Sequence, residues 1–228
     1  MGEALSDLAW PEAAHLERGA ILAVPVGATE QHGPHLPLST DTELATALVE
    51  GLAAARPSVI AAPPLAYGSS GEHAGFAGTL SIGRGALEQV LVELVRSASA
   101  PFGSVLLVCA HGGNLDAVRS VELRLREEGR DARAWFPSWS EGEHAGRVET
   151  SLMLALAPER VRLERAAAGV TDPVHELMPR LVSDGVRALS PNGVLGDPAG
   201  ASAEEGRALL AEEVARLLEA VDAWATAA

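Results

Sequence analysis

Ser104-Val-Leu-Leu-Val-Cys109 is apolar at every position after the first. A strand that is apolar at odd and even positions alike has two faces to hide, and this places it at the centre of a parallel sheet covered on both sides. Ile21 to Val26 repeats the pattern and is closed by Gly27, while Ser58 to Ala62 and Asp131 to Phe136 are two further strand candidates. Between these runs the apolar period lengthens to that of a helix. Leu44, Ala47, Leu48 and Leu52 share one face of a segment that stops at Arg56-Pro57. Ala86 to Ser97 carries Leu87, Val90, Leu91, Leu94 and Val95, and Leu115 to Glu128 carries Val118, Val121, Leu123 and Leu125. Strands alternating with helices predict an α/β sandwich with a largely parallel sheet.

Two helix starts are written as capping boxes, Thr40-Asp41-Thr42-Glu43 and Ser202-Ala203-Glu204-Glu205. In the first, the Thr40 hydroxyl is expected to serve the amide of Glu43 while the Glu43 side chain reaches back. The second opens a C-terminal helix with Leu210, Val214, Leu217, Val221 and Trp224 on one stripe. Each of those side chains is worth roughly 1.5–3 kcal/mol when buried. The 228 residues show no repeat, low-complexity tract or linker, so one domain spanning 1–228 is expected.

Charge and composition narrow the chemistry. A net charge of −14 disfavours nucleic acid and anionic membrane as partners. All seventeen basic residues are arginine, which removes lysine Schiff bases, covalent pyridoxal phosphate and the phosphate-loop lysine. No apolar run is long enough to cross a bilayer, and Met1 to Trp10 carries Glu3 and Asp7 without a basic stretch, unlike a signal peptide. Cys109 is the single cysteine, which excludes an intramolecular disulfide and suits a cytoplasmic protein.

Function is expected where loops leave the carboxyl ends of the strands. After the first strand, Gly27-Ala-Thr-Glu-Gln-His-Gly-Pro-His-Leu-Pro-Leu-Ser-Thr-Asp41 sets Glu30, His32 and Asp41 in one stiff loop. Carboxylate oxygens and imidazole nitrogens suit divalent zinc, iron or manganese. Asp41 also opens a helix, whose dipole keeps it ionised. His111-Gly-Gly-Asn114 follows the central strand, with Gly-Gly expected to allow a sharp turn and a close approach. His144-Ala-Gly-Arg-Val-Glu149 precedes the apolar run Leu152 to Leu156, putting Glu149 near a helix amino end. Taken singly, each of these residues also suits an ordinary loop, turn or helix start. Jointly, His32, His35, His73, His111 and His144 all fall in glycine-rich loops, whereas His15 and His175 sit in ordinary polar settings. The joint pattern reads as a hydrolytic metal site.

These loops together resemble the creatininase (creatinine amidohydrolase) family, from about Gly27 to about Ala201. The resemblance implies a single-domain, three-layer α/β/α sandwich, two divalent metal ions per subunit, and assembly as a homo-oligomer, commonly a hexamer. By position it implies Glu30, His32, Asp41, His111 and Glu149 as metal ligands, with Asp41 bridging, and His144 as the acid/base that protonates the departing nitrogen. Glu72, His73 and Arg147 are candidate substrate contacts. Creatinine-cleaving members carry a carboxylate where this chain has Gly113, and an Asn-Gly pair is common where it has Cys109-Ala110. The first departure shifts the second metal's ligation toward Glu149; the second alters a hydrogen bond behind His111. Tyr67 to Gly83 and Leu189 to Pro198 look most like the mycofactocin-maturation branch, whose peptidase releases a C-terminal Val-Tyr-derived dipeptide from a radical-modified precursor peptide.

The expected reaction is amide hydrolysis by water whose pKa falls from about 15.7 towards about 7 at the metals. The rival substrate is a small cyclic amide or a formamide. The rival from another class is a non-catalytic metal-binding subunit of a biosynthetic complex, against which the retained His144 argues, since a structural site needs no proton donor.

Overall fold

The computed structural model describes residues 4–16, 19–139 and 142–227. Four strands, β1 (Ile21–Val26), β2 (Val59–Ala61), β3 (Ser104–Cys109) and β4 (Asp131–Trp135), form one sheet in the order β2-β1-β3-β4. Every pairing is parallel. The helices are α1 (Trp10–Ala13), α2 (Thr40–Ala55), α3 (Arg84–Phe102), α4 (Leu115–Glu127), α5 (Arg147–Leu156), α6 (Val174–Asp184), α7 (Val186–Leu189) and α8 (Ala203–Ala227).

The two-faced apolar strands explain the three layers. Ile21, Ala23, Leu106 and Val108 turn to one side and pack on Leu44, Leu48 and Leu52 of α2, Leu152 of α5 and Leu217 of α8. Leu22, Val24, Val105 and Leu107 turn to the other and meet Leu87 and Leu91 of α3 and Val118 and Val121 of α4. The C-terminal helix is also tied by a hydrogen bond from Trp224 Nε1 to Asp131 Oδ1 at 3.0 Å. The chain runs β1–α2–β2 outward, then returns through α3 on the opposite face to β3. That reversal opens a crevice outside the carboxyl ends of β1 and β3, the place where open α/β sheets bind ligands.

Several expectations are corrected. Thr40 does not cap α2: its hydroxyl donates to Pro37 O at 2.8 Å, and the Glu43 amide goes to Ser39 O at 2.9 Å. Ser39 is the residue flanking the helix. Half of the second box forms, Glu205 N donating to Ser202 Oγ at 3.2 Å, while the Glu205 carboxylate turns instead to Ser151 and Arg147. Leu123 is 61% exposed, and Val90 and Leu94 also stand outside the core of the face they were grouped with. Gly112 and Gly113 turn through a short 3-10 helix, Gly112–Asn114, and neither has a positive φ. The α6–α7 pair has no counterpart among the expected elements, because Pro179 lies inside α6 and interrupts the helical reading.

Candidate metal centre

Val26 and Cys109 are paired in the sheet, so Gly27 and Ala110 leave it side by side. A Cβ on Gly27 would lie 2.5 Å from Thr42 Cα, so only glycine lets the loop start this close to α2. The loop folds back on itself, with Glu30 N donating to Leu38 O at 3.0 Å and Gln31 N to Thr79 Oγ1 at 3.1 Å. Glu30 and His32 are thereby fully buried, facing Asp41 in the first turn of α2. Asn114 fastens the neighbouring loops: its Nδ2 donates to Gly27 O at 2.9 Å and its Oδ1 accepts from Ser69 N at 2.8 Å. His144 is fixed by a two-way backbone bridge to Leu195, at 2.9 and 2.8 Å. Next to it Ala145 holds φ at 55°, a left-handed conformation that costs about 1–3 kcal/mol in a non-glycine residue. The strain aims its N–H at Glu149 Oε2, 2.6 Å away in the first turn of α5.

Asp41 stands in the middle. Its Oδ1 is 3.1 Å from His32 Nε2 and its Oδ2 is 3.2 Å from His111 Nδ1. Glu30 Oε2 lies 3.1 Å from His111 Nε2, and Glu149 Oε2 lies 3.9 Å from His32 Nε2. His32 Nδ1 faces the Glu30 carbonyl at 3.2 Å, a bond that points Nε2 at the carboxylates, as a metal-ligating imidazole requires. His144 Nε2–H donates to Gln31 O at 2.8 Å, leaving Nδ1 3.7 Å from Glu30 Oε1. The ring of His144 lies against those of His32 and His73, with centroids 4.3 and 4.5 Å apart.

The electrostatics ask for a cation. Glu30 Oε1, Glu30 Oε2 and Asp41 Oδ2 are buried and accept no hydrogen bond, although imidazole nitrogens are close. Buried carboxylates in that condition need a partner charge. Burial pushes Glu30 up to about 8 against the pull of His111, and pushes Glu149 up to about 7. Burial alone would lower His32 and His111; the carboxylates of Asp41 and Glu30 outweigh it and lift both to about 10. Burial would raise Asp41, yet His32 and His111 hold it far below the usual carboxylate range. His144 and His73 are driven down, chiefly by burial and then by their imidazole neighbours, His73 to about 3. Metal-ligand donor atoms within 4.8 Å of one another occur as Glu30, His32 and Asp41; as His32, His144 and Glu149; as Glu30, Glu72 and His111; and as Glu30, His73 and His144. The donor set and the orphaned oxygens fit divalent metal ions.

The family profile described as "Creatininase: Creatinine amidohydrolase" matches residues 6–221. The chain belongs to the creatininase family. It is a hydrolase of amide C–N bonds. It is 49% identical over 212 residues to the "Mycofactocin precursor peptide peptidase" of Mycolicibacterium smegmatis, covering 90% of this chain and 85% of that protein. It is 30% identical over 253 residues to the "Creatinine amidohydrolase" of Pseudomonas putida, covering 95% of each. The solved structure described as "Creatininase Mn" superposes with a TM-score of 0.78 at 27% identity, over 97% of this chain and 98% of that one.

Within this creatininase fold, Glu30, His32, Asp41, His111, His144 and Glu149 come together, and Glu72 and His73 line the cleft onto which His111, His144 and Glu149 open. Arg147 lies apart from the cleft lining: its half-exposed guanidinium pairs with Glu205 at 3.0 Å. His35 faces Thr150 Oγ1 at 2.9 Å rather than the cluster. The thiol of Cys109 donates to His111 O at 3.4 Å. Gln31 was not anticipated. Its Nε2 donates to Gly193 O at 2.9 Å and lies 2.9 Å from His73 Nδ1, so it orders the histidines from behind. Its place between Glu30 and His32 was the only available signal, and alternation along an irregular loop says nothing of where a side chain points.

Proposed function

We propose that this chain is a divalent-metal peptidase that releases the C-terminal Val-Tyr-derived dipeptide from a radical-modified precursor peptide in mycofactocin biosynthesis. The observation that carries the peptide reading is the cleft. It encloses about 900 Å³ and runs from His144 and Glu149 past Glu72 and His73 to an apolar wall that includes Met178 and Val182. A cavity of that size takes a ligand with several side-chain groups; a small cyclic amide would leave the apolar wall in water. The relatives named as mycofactocin precursor peptide peptidases support the same substrate class.

In this reading Glu30, His32, Asp41, His111 and Glu149 would hold two ions (zinc, iron or manganese), and Asp41, whose oxygens face different imidazoles, would serve both. Bound divalent ions supply Lewis acidity, which polarises the scissile carbonyl and acidifies water. His144 moves the proton. Its Nε2–H is held by Gln31 O, so Nδ1 takes a proton from the attacking water and delivers it to the leaving amine. Burial keeps that imidazole neutral and ready to accept. His73, neutral for the same reason, offers the substrate a hydrogen-bonding group beside Glu30. Arg147 has no part in this scheme, being engaged by Glu205. The same reading places the protein in the cytoplasm as a homo-oligomer, a hexamer by family resemblance. The single buried thiol and the exposed apolar side chains Val90, Leu94 and Leu123 of α3 and α4 support it.

Mass spectrometry of the radical-modified precursor peptide, incubated with metal-loaded protein, tests the reading. Creatinine and a formamide run beside it, with Asp41→Asn as the blank. The expected result is dipeptide release by the wild type alone. Turnover of a small amide with an intact peptide would overturn the substrate, and no hydrolysis of any amide would favour a metal-binding subunit.

A further inference from the structure

Resting on that metal-centre reading, we infer that Glu72 is a ligand of the second ion and fills the space left by the missing side chain at Gly113. Glu72 is the middle residue of the 3-10 turn Gly71–His73 and lines the cleft with its side chain 30% exposed. Its donor atom and those of Glu30 and His111 lie within 4.8 Å of one another. This triad shares no residue with the pair of His32 and Glu149, and Asp41 stands between the two sets with one oxygen toward His32 and the other toward His111. Two donor sets flanking one carboxylate are the arrangement a pair of ions needs.

Position 113 shows why the ligand comes from a different loop. A Cβ built on Gly113 would lie 2.6 Å from Glu72 Oε1 and 2.6 Å from His111 Nε2, and would also press on the Ser69 carbonyl oxygen. The Glu72 carboxylate therefore occupies the volume that a residue-113 side chain would enter. Without it, the ion beside His111 has Glu30, His111 and a share of Asp41; Glu72 supplies a fourth protein ligand. The loop carrying Glu72 is also held in place. Arg187 of α7 donates from Nη1 to Gly75 O at 2.6 Å and lies 5.9 Å over the ring of Phe76.

The test is metal binding rather than turnover. Metal-stripped wild type and Glu72→Gln are titrated with Zn(II) and with Co(II). Bound ions are counted by plasma mass spectrometry, the Co(II) absorption is recorded, and thermal unfolding is measured in chelator. Glutamine keeps the size of the side chain and removes its charge. The expected result is two ions per wild-type subunit and one per variant, the second ion binding at least about 10-fold more weakly, with a changed Co(II) spectrum and an unchanged unfolding midpoint. Two ions bound by Glu72→Gln with unaltered affinity and spectrum would overturn the inference and leave the metal centre standing. A single ion in the wild type would overturn the inference together with the two-ion reading it rests on. No ion in the wild type would remove the metal centre and the inference together.

Discussion

The loop that follows β1 and the α6–α7 pair are built on opposite principles. The loop holds Glu30, Gln31, His32 and His35 buried, each fixed by hydrogen bonds or facing charge, and its backbone is pinned at Leu38 and Thr79. The α6–α7 pair rests on a small cluster of its own, Leu177, Leu181, Val186 and Leu195, and leaves Met178 47% and Val182 79% exposed. One side stores charge in a rigid frame; the other leaves apolar surface exposed along the cleft. The difference is that the buried donor groups are carried at the carboxyl ends of the sheet strands, where position is fixed, while the apolar lining of the cleft comes from an appended helix pair.

Asp41→Asn should break the rigid side most severely. Losing the central carboxylate costs several kcal/mol of charge stabilisation, about 10³-fold or more in kcat/KM, with loss of bound metal. Metal analysis and turnover on one preparation check it, and full occupancy with full turnover would remove Asp41 from the centre. His144→Gln should lower kcat by about 10²- to 10⁴-fold while metal content stays that of the wild type. A fall in bound metal instead of kcat would make His144 a ligand and not the proton carrier.

Metal loading should depend steeply on pH. In the metal-free protein the carboxylates hold His32 and His111 protonated up to about pH 10, and Glu30 and Glu149 lose their protons near about 8 and about 7. An ion must displace these protons, so affinity rises as pH rises between about 6 and about 10, by about tenfold per unit for each proton displaced. Competition titrations at three pH values, with calorimetry in buffers of different ionisation enthalpy, measure the release; a flat profile contradicts it. The smallest effect belongs to the helix pair. Met178→Ser with Val182→Ser should raise KM for the peptide about 10-fold, leave kcat near the wild-type value, and move stability within about 0.5 kcal/mol. An unchanged KM would take the apolar wall out of substrate binding.

Much of this was legible in the residues. The bounds of β1 and β3 follow from apolar runs that need cover on both sides. The candidate ligands fall on loops at the carboxyl ends of those strands because a parallel sheet leaves its loops there. What failed to be legible depended on neighbours distant in sequence. Thr40 satisfies the capping pattern, but Pro37 turns its carbonyl toward the hydroxyl and takes it. Arg147 is next to the site in sequence and points away, because Glu205 of α8 arrives on its outer side. Glu72 gave no sign of facing Glu30, forty-two positions away, until three loops were stapled together through Asn114.

By itself the sequence determined the α/β class, the family and the donor types, since periodicity, loop composition and residue chemistry are local properties. The tertiary structure decided which carboxylate oxygens face which imidazoles, that Gln31 stands behind the histidines, that a side chain at position 113 would meet Glu72, and how wide the cleft is. Those are distances between segments far apart along the chain, and packing of the whole fold sets them.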